Sequence, residues 1–229
     1  MMFPQGKMKA ITFSFDDGVE QDRKLVEILN RFGFKAAFNL NSGVQSGSAP
    51  WCQNDLVVRR LNIAELPGLY AGHEIAVHSL THPHLEYLDE PTIRNELEQD
   101  KLNLERIFNT KVRGMAYPYG TYNALVTKTA RRCGLEYARG VSATGLFDIP
   151  QTTEERLAYQ PTCNHDDPQL MTLADAFLKL TPQTPQLFYI WGHSYMLEAN
   201  NNWHVLEEFC KLTAGRNDIF YGTNAEVLL

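Results

Sequence analysis

No stretch of the 229-residue chain is apolar for the roughly 18 to 20 consecutive residues that a membrane-spanning helix needs, so no membrane partner is expected. Dense blocks of lysine and arginine are also missing. Twenty-one basic residues face 27 acidic ones, for a formal net charge of −6, and the clustered basic face that nucleic acid calls for is absent from the sequence. Cysteine is scarce. Cys52, Cys133, Cys163 and Cys210 show no C-x-x-C spacing and are too sparse for a disulfide scaffold, so reduced thiols that mostly pack are expected. Neither a G-x-G-x-x-G following the first strand nor a Walker lysine occurs, which leaves a nucleotide-binding sheet unsupported. The N-terminal stretch Met1-Met2-Phe3-Pro4-Gln5-Gly6-Lys7-Met8-Lys9 has no long apolar core of the signal-peptide kind, and a cytoplasmic location is the expectation.

What is present is an ordinary globular composition, 44% hydrophobic and 21% charged, at a length that suits one large domain over residues 1–229. Short apolar runs alternate with helical patterns. Residues 12–16 read as a strand. Residues 21–32 place Leu25, Ile28, Leu29 and Phe32 at helical spacing before Gly33, and 36–40 form a second strand. Residues 41–60, rich in Ser, Gly and Asn, read as a long functional loop. A short helix over 63–70 and a strand over 72–77 follow. Asp89 and Thr92 are candidate caps for a helix reaching residue 108. Further strands are expected at 112–116, 136–141, 186–191 and 219–221, and helices at 124–133, 171–180 and 205–212. Residues 142–168 carry little pattern, with one strand expected near 157–160, and Asn200-Asn201-Asn202 reads as a solvated loop.

Strands of about five residues that alternate with helices imply parallel strands joined by helical crossovers. The fold class is therefore α/β, as a closed or nearly closed β/α barrel, with an open doubly wound sheet as the alternative. Asp16, Asp17, His78, Tyr119 and His193 all fall at expected strand ends, where such barrels carry their chemistry.

Two motifs point to a metal. Thr12-Phe13-Ser14-Phe15-Asp16-Asp17-Gly18 alternates like a strand and delivers two adjacent carboxylates, which repel unless a cation or a shared proton holds them. His78-Ser79-Leu80-Thr81-His82 places two imidazoles four residues apart, so that one helical turn would set both on the same side. Asp-Gly alone is a turn signal, and an isolated H-x-x-x-H is usually a surface pair. Together they supply three ligands and a spare carboxylate, a standard catalytic set for a divalent ion.

These residues resemble the polysaccharide deacetylase (NodB-homology) family, of the carbohydrate esterase family 4 type. The Asp-Asp stretch is similar to its first motif and His78–His82 to its second; Arg113-Gly114-Met115-Ala116-Tyr117-Pro118-Tyr119-Gly120 resembles the third, and Trp191-Gly192-His193-Ser194 the last. The resemblance implies a distorted (β/α)7–8 barrel in which Asp17, His78 and His82 hold the metal, Asp16 is the general base and His193 the general acid. The backbone N–H of Tyr119 would help bind the oxyanion. The implied metal is zinc, with cobalt, nickel or manganese as alternatives. The implied reaction is removal of an acetyl group from an N-acetylated amino sugar or oligosaccharide. Hydrolysis of a small non-sugar amide, of ureide or formamide type, and a non-catalytic carbohydrate-binding relative are the alternatives. Tyr117, Pro118, Tyr119 and Trp191 are candidate substrate contacts, although Trp191 also reads as a core residue of an apolar strand. His73, His84, His165 and His204 have no ligand partner at metal spacing and are assigned no role.

The chain departs from the family pattern at two places. Ala116 stands where the third motif carries an arginine that braces the catalytic aspartate, and Arg113 or Arg139 is the candidate replacement. A fourth motif, whose aspartate tunes the acid histidine, has only Asp148 as a candidate.

Overall fold

The computed structural model describes residues 2–45 and 47–229; Met1 and Ser46, which belong to the N-terminal stretch and to the 41–60 segment, lie outside the described residues. Strand β1 (Lys9–Asp16) is followed by α1 (Asp22–Phe32) and β2 (Ala36–Leu40). A hairpin of β3 (Trp51–Gln53) and β4 (Leu56–Val58) and the short α2 (Leu66–Leu69) lead to β5 (Glu74–Val77). Then come α3 (Glu90–Phe108), β6 (Gly114–Ala116), α4 (Ala124–Arg132), β7 (Tyr137–Arg139), α5 (Thr153–Arg156), β8 (Cys163–Asn164), α6 (Leu170–Lys179) and β9 (Gln186–Gly192). The chain continues through α7 (Ser194–Ala199), α8 (Trp203–Thr213), β10 (Ile219–Tyr221) and α9 (Asn224–Leu228).

The sheet runs β7-β6-β5-β2-β1-β9-β8, parallel throughout, and β10 pairs in parallel with Lys9, Ala10 and Ile11 of β1. Its two ends approach each other through one segment. Tyr159 exchanges backbone hydrogen bonds with Ala138 and Gly140 beside β7, and four residues later β8 lies beside Ile190 and Trp191 of β9. The sheet thereby curls into the distorted (β/α) barrel, with its weak seam at residues 159–164. This seam is where the expected strand at 157–160 belongs: Tyr159 makes an isolated parallel bridge to Arg139, and the regular pairing comes at Cys163–Asn164.

Every residue of β1 is buried. Its odd positions face the helices: Phe13 packs edge-on against Phe34 at 5.4 Å and Phe209 at 5.9 Å. Its even positions face the barrel interior, where Thr12 donates to Asn224 and Ser14 accepts from Asn39 and Arg139. From Ile11 to Asp16 the alternation of β1 is therefore apolar towards helices and polar towards the barrel interior, with neither face towards water. α1 ends at Gly33 with φ 75°, and Asp89 caps α3 by accepting from the Thr92 N–H at 3.0 Å.

Residues 41–60 depart from the expected loop by containing the β3–β4 hairpin, which turns at Asn54 with φ 52°. Asn200 and Asn202 are not merely solvated, since both donate to Asp166, at 2.7 and 3.0 Å. All four cysteines are free; Cys133, Cys163 and Cys210 are buried and Cys52 is exposed. Among the described residues no helix is long and apolar enough to cross a membrane.

Candidate active site

The C-terminal ends of the strands deliver the site. Asp16 closes β1, His78 follows β5, Tyr117 and Tyr119 follow β6, and His193 follows β9. With Asp17, His82, Gly120, Val141, Trp191 and Tyr195 they line one cleft of about 260 Å³.

Three donors converge. Ligand atoms of Asp17, His78 and His82 lie within 4.8 Å of one another, and the two imidazole Nε2 atoms are 3.1 Å apart. Two nitrogens bound to one tetrahedral zinc at 2.0–2.1 Å stand about 3.3 Å apart, so the donor set fits a divalent ion with open positions for water and substrate. His78 Nδ1 lies 2.8 Å from the Ala116 carbonyl. A carbonyl only accepts, so Nδ1 carries the proton and Nε2 is left with a lone pair that would be free to ligate a metal ion. Burial, helped by the neighbouring His78, pushes His82 down to about 4, which keeps it neutral and able to ligate.

The two histidines do not sit on a helical turn. Ser79 and His82 adopt left-handed backbone, with φ 64° and 63°, and the loop closes where the His82 N–H donates to Ser79 Oγ at 3.1 Å. Neighbours hold this strained loop in place. Asn41 donates to the carbonyls of His78 and Ser79, and Glu96 accepts from the Thr81 N–H and hydroxyl, both at 2.8 Å. Asp100 accepts from the N–H groups of Ser42, at 2.7 Å, and His78, at 3.2 Å. Asp17 is left-handed too, at φ 79°.

The adjacent aspartates have different partners. Asp16 Oδ1 accepts from Arg139 and, at 2.8 Å, from Asn39, while Oδ2 lies 3.8 Å from His193 Nε2. Burial alone would raise this carboxyl; the charges of Arg139, His78 and His193, with the Arg139 hydrogen bond, outweigh it and hold Asp16 at about 2. Asp17 Oδ1 accepts from Arg60 at 2.9 Å, and its Oδ2 lies 3.8 Å from His193 Nε2. Arg60 is itself stacked 4.9 Å from the Trp51 ring, so the β3–β4 hairpin reaches the site. Trp51 meets Tyr195 edge-on, and Tyr195 lies beside His193. Burial lowers His193, with the Asp16 and Asp17 charges opposing it.

Of the two candidate replacements for the arginine expected at position 116, Arg139 reaches Asp16; Arg113 instead forms a fork on Glu136, with both contacts at 2.8 Å. Asp148 is exposed, and its carbonyl accepts from Tyr159; the carboxylates facing His193 are those of Asp16 and Asp17. Pro118 is buried at the start of the turn Pro118–Gly120 and shapes it rather than lining the cleft, whereas Tyr119 is half exposed there. Trp191 lines the cleft with the Arg139 guanidinium 5.0 Å from its ring.

Arg60, Asn39, Asn41, Asp100 and Asp22 escaped sequence reasoning because each acts across loops that no local pattern links. Asp22, fully buried, accepts from Ser194, next to His193, from the Tyr70 hydroxyl at 2.6 Å and from the Val19 N–H at 3.2 Å. Burial pushes it up to about 7, although the hydrogen bonds from Ser194, Tyr70 and Val19 pull the other way. An unfolded chain releases that proton at about pH 4. Between these values the folded state binds more protons, so stability falls as pH rises through the window. Asp22→Asn does not titrate; its urea midpoint should fall less than the wild-type midpoint between about pH 4.5 and about pH 8, and an equal fall would refute the assignment.

The polysaccharide deacetylase family pattern matches residues 4–138. The chain belongs to the polysaccharide deacetylase family. No curated protein matches it. Among solved structures, this family member is similar to the Streptococcus pyogenes deacetylase PplD in complex with acetate, at 23% identity and TM-score 0.54, over 64% of this chain and 61% of that one. The Xyl-CE4 domain of a multidomain xylanase from the hindgut metagenome of Trinervitermes trinervoides shares 18% identity at TM-score 0.61, over 96% of this chain and 89% of that one. A CE4 family pseudoenzyme from Bacillus anthracis shares 20% identity at TM-score 0.59, over 99% of this chain and 66% of that one. The deacetylase family chain thus spans about three fifths of PplD and about two thirds of the pseudoenzyme. At these identities the likeness is one of fold.

Proposed function

We propose that this family member is a metal-dependent deacetylase that hydrolyses the N-acetyl group of an amino sugar, free or within an oligosaccharide. The observation that carries the reading is the meeting, in one cleft, of the Asp17, His78 and His82 donors with Asp16 and His193. When bound, a divalent ion supplies Lewis-acid polarisation and a water of lowered pKa. Asp17, His78 and His82 would hold it. Asp16, kept ionised and aimed by Arg139 and Asn39, takes the proton from the attacking water. The Tyr119 backbone N–H, set in a turn with φ 58°, donates to the oxygen that gains charge. His193 delivers a proton to the departing amine, a poor leaving group until protonated. One similar structure is that of a CE4 family pseudoenzyme; the paired Arg139 and Asp16 and the intact His193 support catalysis here.

The test is acetate release by zinc-loaded protein from a graded series of N-acetylglucosamine oligomers, with bound zinc counted by equilibrium dialysis. Asp17→Asn should weaken zinc binding by about 100-fold or more, beyond the 10–100-fold typical of losing an outer-shell partner. Full activity in metal-stripped protein would defeat the reading. The departure from the family's third motif at Ala116 favours hydrolysis of a small non-sugar amide as the second reading. Release from ureides or formamides with none from the sugar series would select it.

A further inference from the structure

One arginine touches both of the segments that supply the candidate ligands. Arg60 donates through the same nitrogen, Nη2, to Asp17 Oδ1 at 2.9 Å and to Asn41 Oδ1 at 3.4 Å. Asn41 in turn donates to the carbonyls of His78 and Ser79, where the loop that carries both histidines begins. A single guanidinium thus joins the aspartate donor after β1 to the histidine donors after β5.

The arginine is itself fixed from two sides. Its backbone pairs with Val19 in an isolated antiparallel bridge, the Leu61 N–H donates to the Gly18 carbonyl at 2.9 Å, and the Glu20 N–H donates to the Arg59 carbonyl at 2.9 Å. Residues 59–61 therefore clamp the turn directly after Asp17. On the other side the Trp51 ring lies 4.9 Å from the guanidinium and meets Tyr195 edge-on at 5.5 Å. Side-chain exposure is 13% for Arg60 and 8% for Asp17, so solvent and salt screen the pair little. Arg60 Nε is buried and finds no acceptor among the described residues, a costly state. The side chain is placed by what Nη2 reaches, not by satisfaction of its whole donor fork.

We propose that Arg60 is a positioning residue for the metal ligands: it holds Asp17 Oδ1 and, through Asn41, the backbone of His78 and Ser79, and so presets the three donors and raises zinc affinity. The proposal rests on the metal-dependent reading of the site and deepens it. Two effects of the guanidinium oppose each other. Its charge repels a dication, but that charge is already paired with Asp17. Its hydrogen bonds restrain a carboxylate that stands on left-handed backbone, φ 79°, beside the like charge of Asp16. With Oδ1 taken by Arg60, Oδ2 stays available to an ion. Partners that orient a ligating carboxylate in this way typically contribute about 10- to 100-fold in metal affinity, so restraint outweighs repulsion.

The test measures zinc dissociation constants by chelator competition for Arg60→Met, Arg60→Lys and Trp51→Ala, each also in the Asp17→Asn background. Arg60→Met should weaken zinc about 10- to 100-fold. Arg60→Lys keeps a charged donor without the planar group that stacks on Trp51, and should lie between. Trp51→Ala leaves the hydrogen bonds but loosens the guanidinium, for a loss of about two- to fivefold. An asparagine at position 17 has one acceptor oxygen and cannot serve both Arg60 and the ion, so in that background Arg60→Met should cost nothing further. A fold that had merely loosened would weaken both backgrounds alike. If Arg60→Met does not fold, Arg60→Lys and Trp51→Ala carry the same comparison. Unchanged affinity, an equal loss in both backgrounds, or tighter binding, which would mean that the guanidinium charge opposes the ion, would overturn the proposal. A parent that binds no zinc overturns it together with the metal-dependent reading. If Arg60→Met weakens zinc as expected but the zinc-saturated parent releases no acetate from the sugar series, the positioning role stands and the deacetylase does not.

Discussion

Asp16→Asn is expected to retain stoichiometric zinc and to lose about 10²- to 10⁴-fold in acetate release, the usual contribution of a positioned general base. The split between binding and turnover follows from the different partners of the adjacent carboxylates. Asp17 converges with His78 and His82, whereas Asp16 gives Oδ1 to Arg139 and Asn39 and turns Oδ2 towards His193. An asparagine at position 16 still offers an oxygen to the Arg139 guanidinium, so the ligand triad keeps its surroundings. What it cannot do is take a proton. Zinc stoichiometry and kcat, measured on the same preparation, check the claim. Loss of zinc together with activity would mean that Asp16 is a ligand, and unaltered kcat would mean that the base lies elsewhere.

The legible part of this site is the part that sits at strand ends. Thr12–Gly18 announces both a strand and its carboxylates, and His78–His82 announces a candidate ligand pair by residue type and spacing. The conformation of that pair was not legible, since left-handed backbone at Ser79 and His82 leaves no periodic trace. The β3–β4 hairpin was hidden by strands of three residues, although Asn54-Asp55 between Trp51-Cys52-Gln53 and Leu56-Val57-Val58 is a turn signal in hindsight. The seam at 159–164 gave little pattern because its pairing is so short. Arg139 is one of two candidates for the charge that braces Asp16, and the closure of the barrel selects it over Arg113; Arg60 looks like a surface charge in the sequence, and only the segment after the hairpin brings it to Asp17.

The contribution of Arg139 is also the largest stability effect expected. Its side chain is fully buried, pairs with Asp16 and donates from Nε to Ser14 Oγ at 3.0 Å. Arg139→Met strands the Asp16 carboxylate in the barrel mouth with Asn39 as its remaining donor, and breaking a buried pair from one side costs about 3–5 kcal/mol. Removing both charges avoids that penalty, because replacing both partners with neutral groups is often close to neutral. Urea unfolding of metal-free protein should therefore rank Arg139→Met below the double variant Asp16→Asn/Arg139→Met, a difference that packing loss alone cannot produce since the methionine is common to both. Arg139→Lys keeps the charge but not the fork that reaches Asp16 and Ser14 together, and should fall between wild type and Arg139→Met. A single variant that costs under about 1 kcal/mol, or a double variant whose loss equals the sum of the singles, would show that the pair is not coupled and that Asp16 is held by Asn39 and the strand alone.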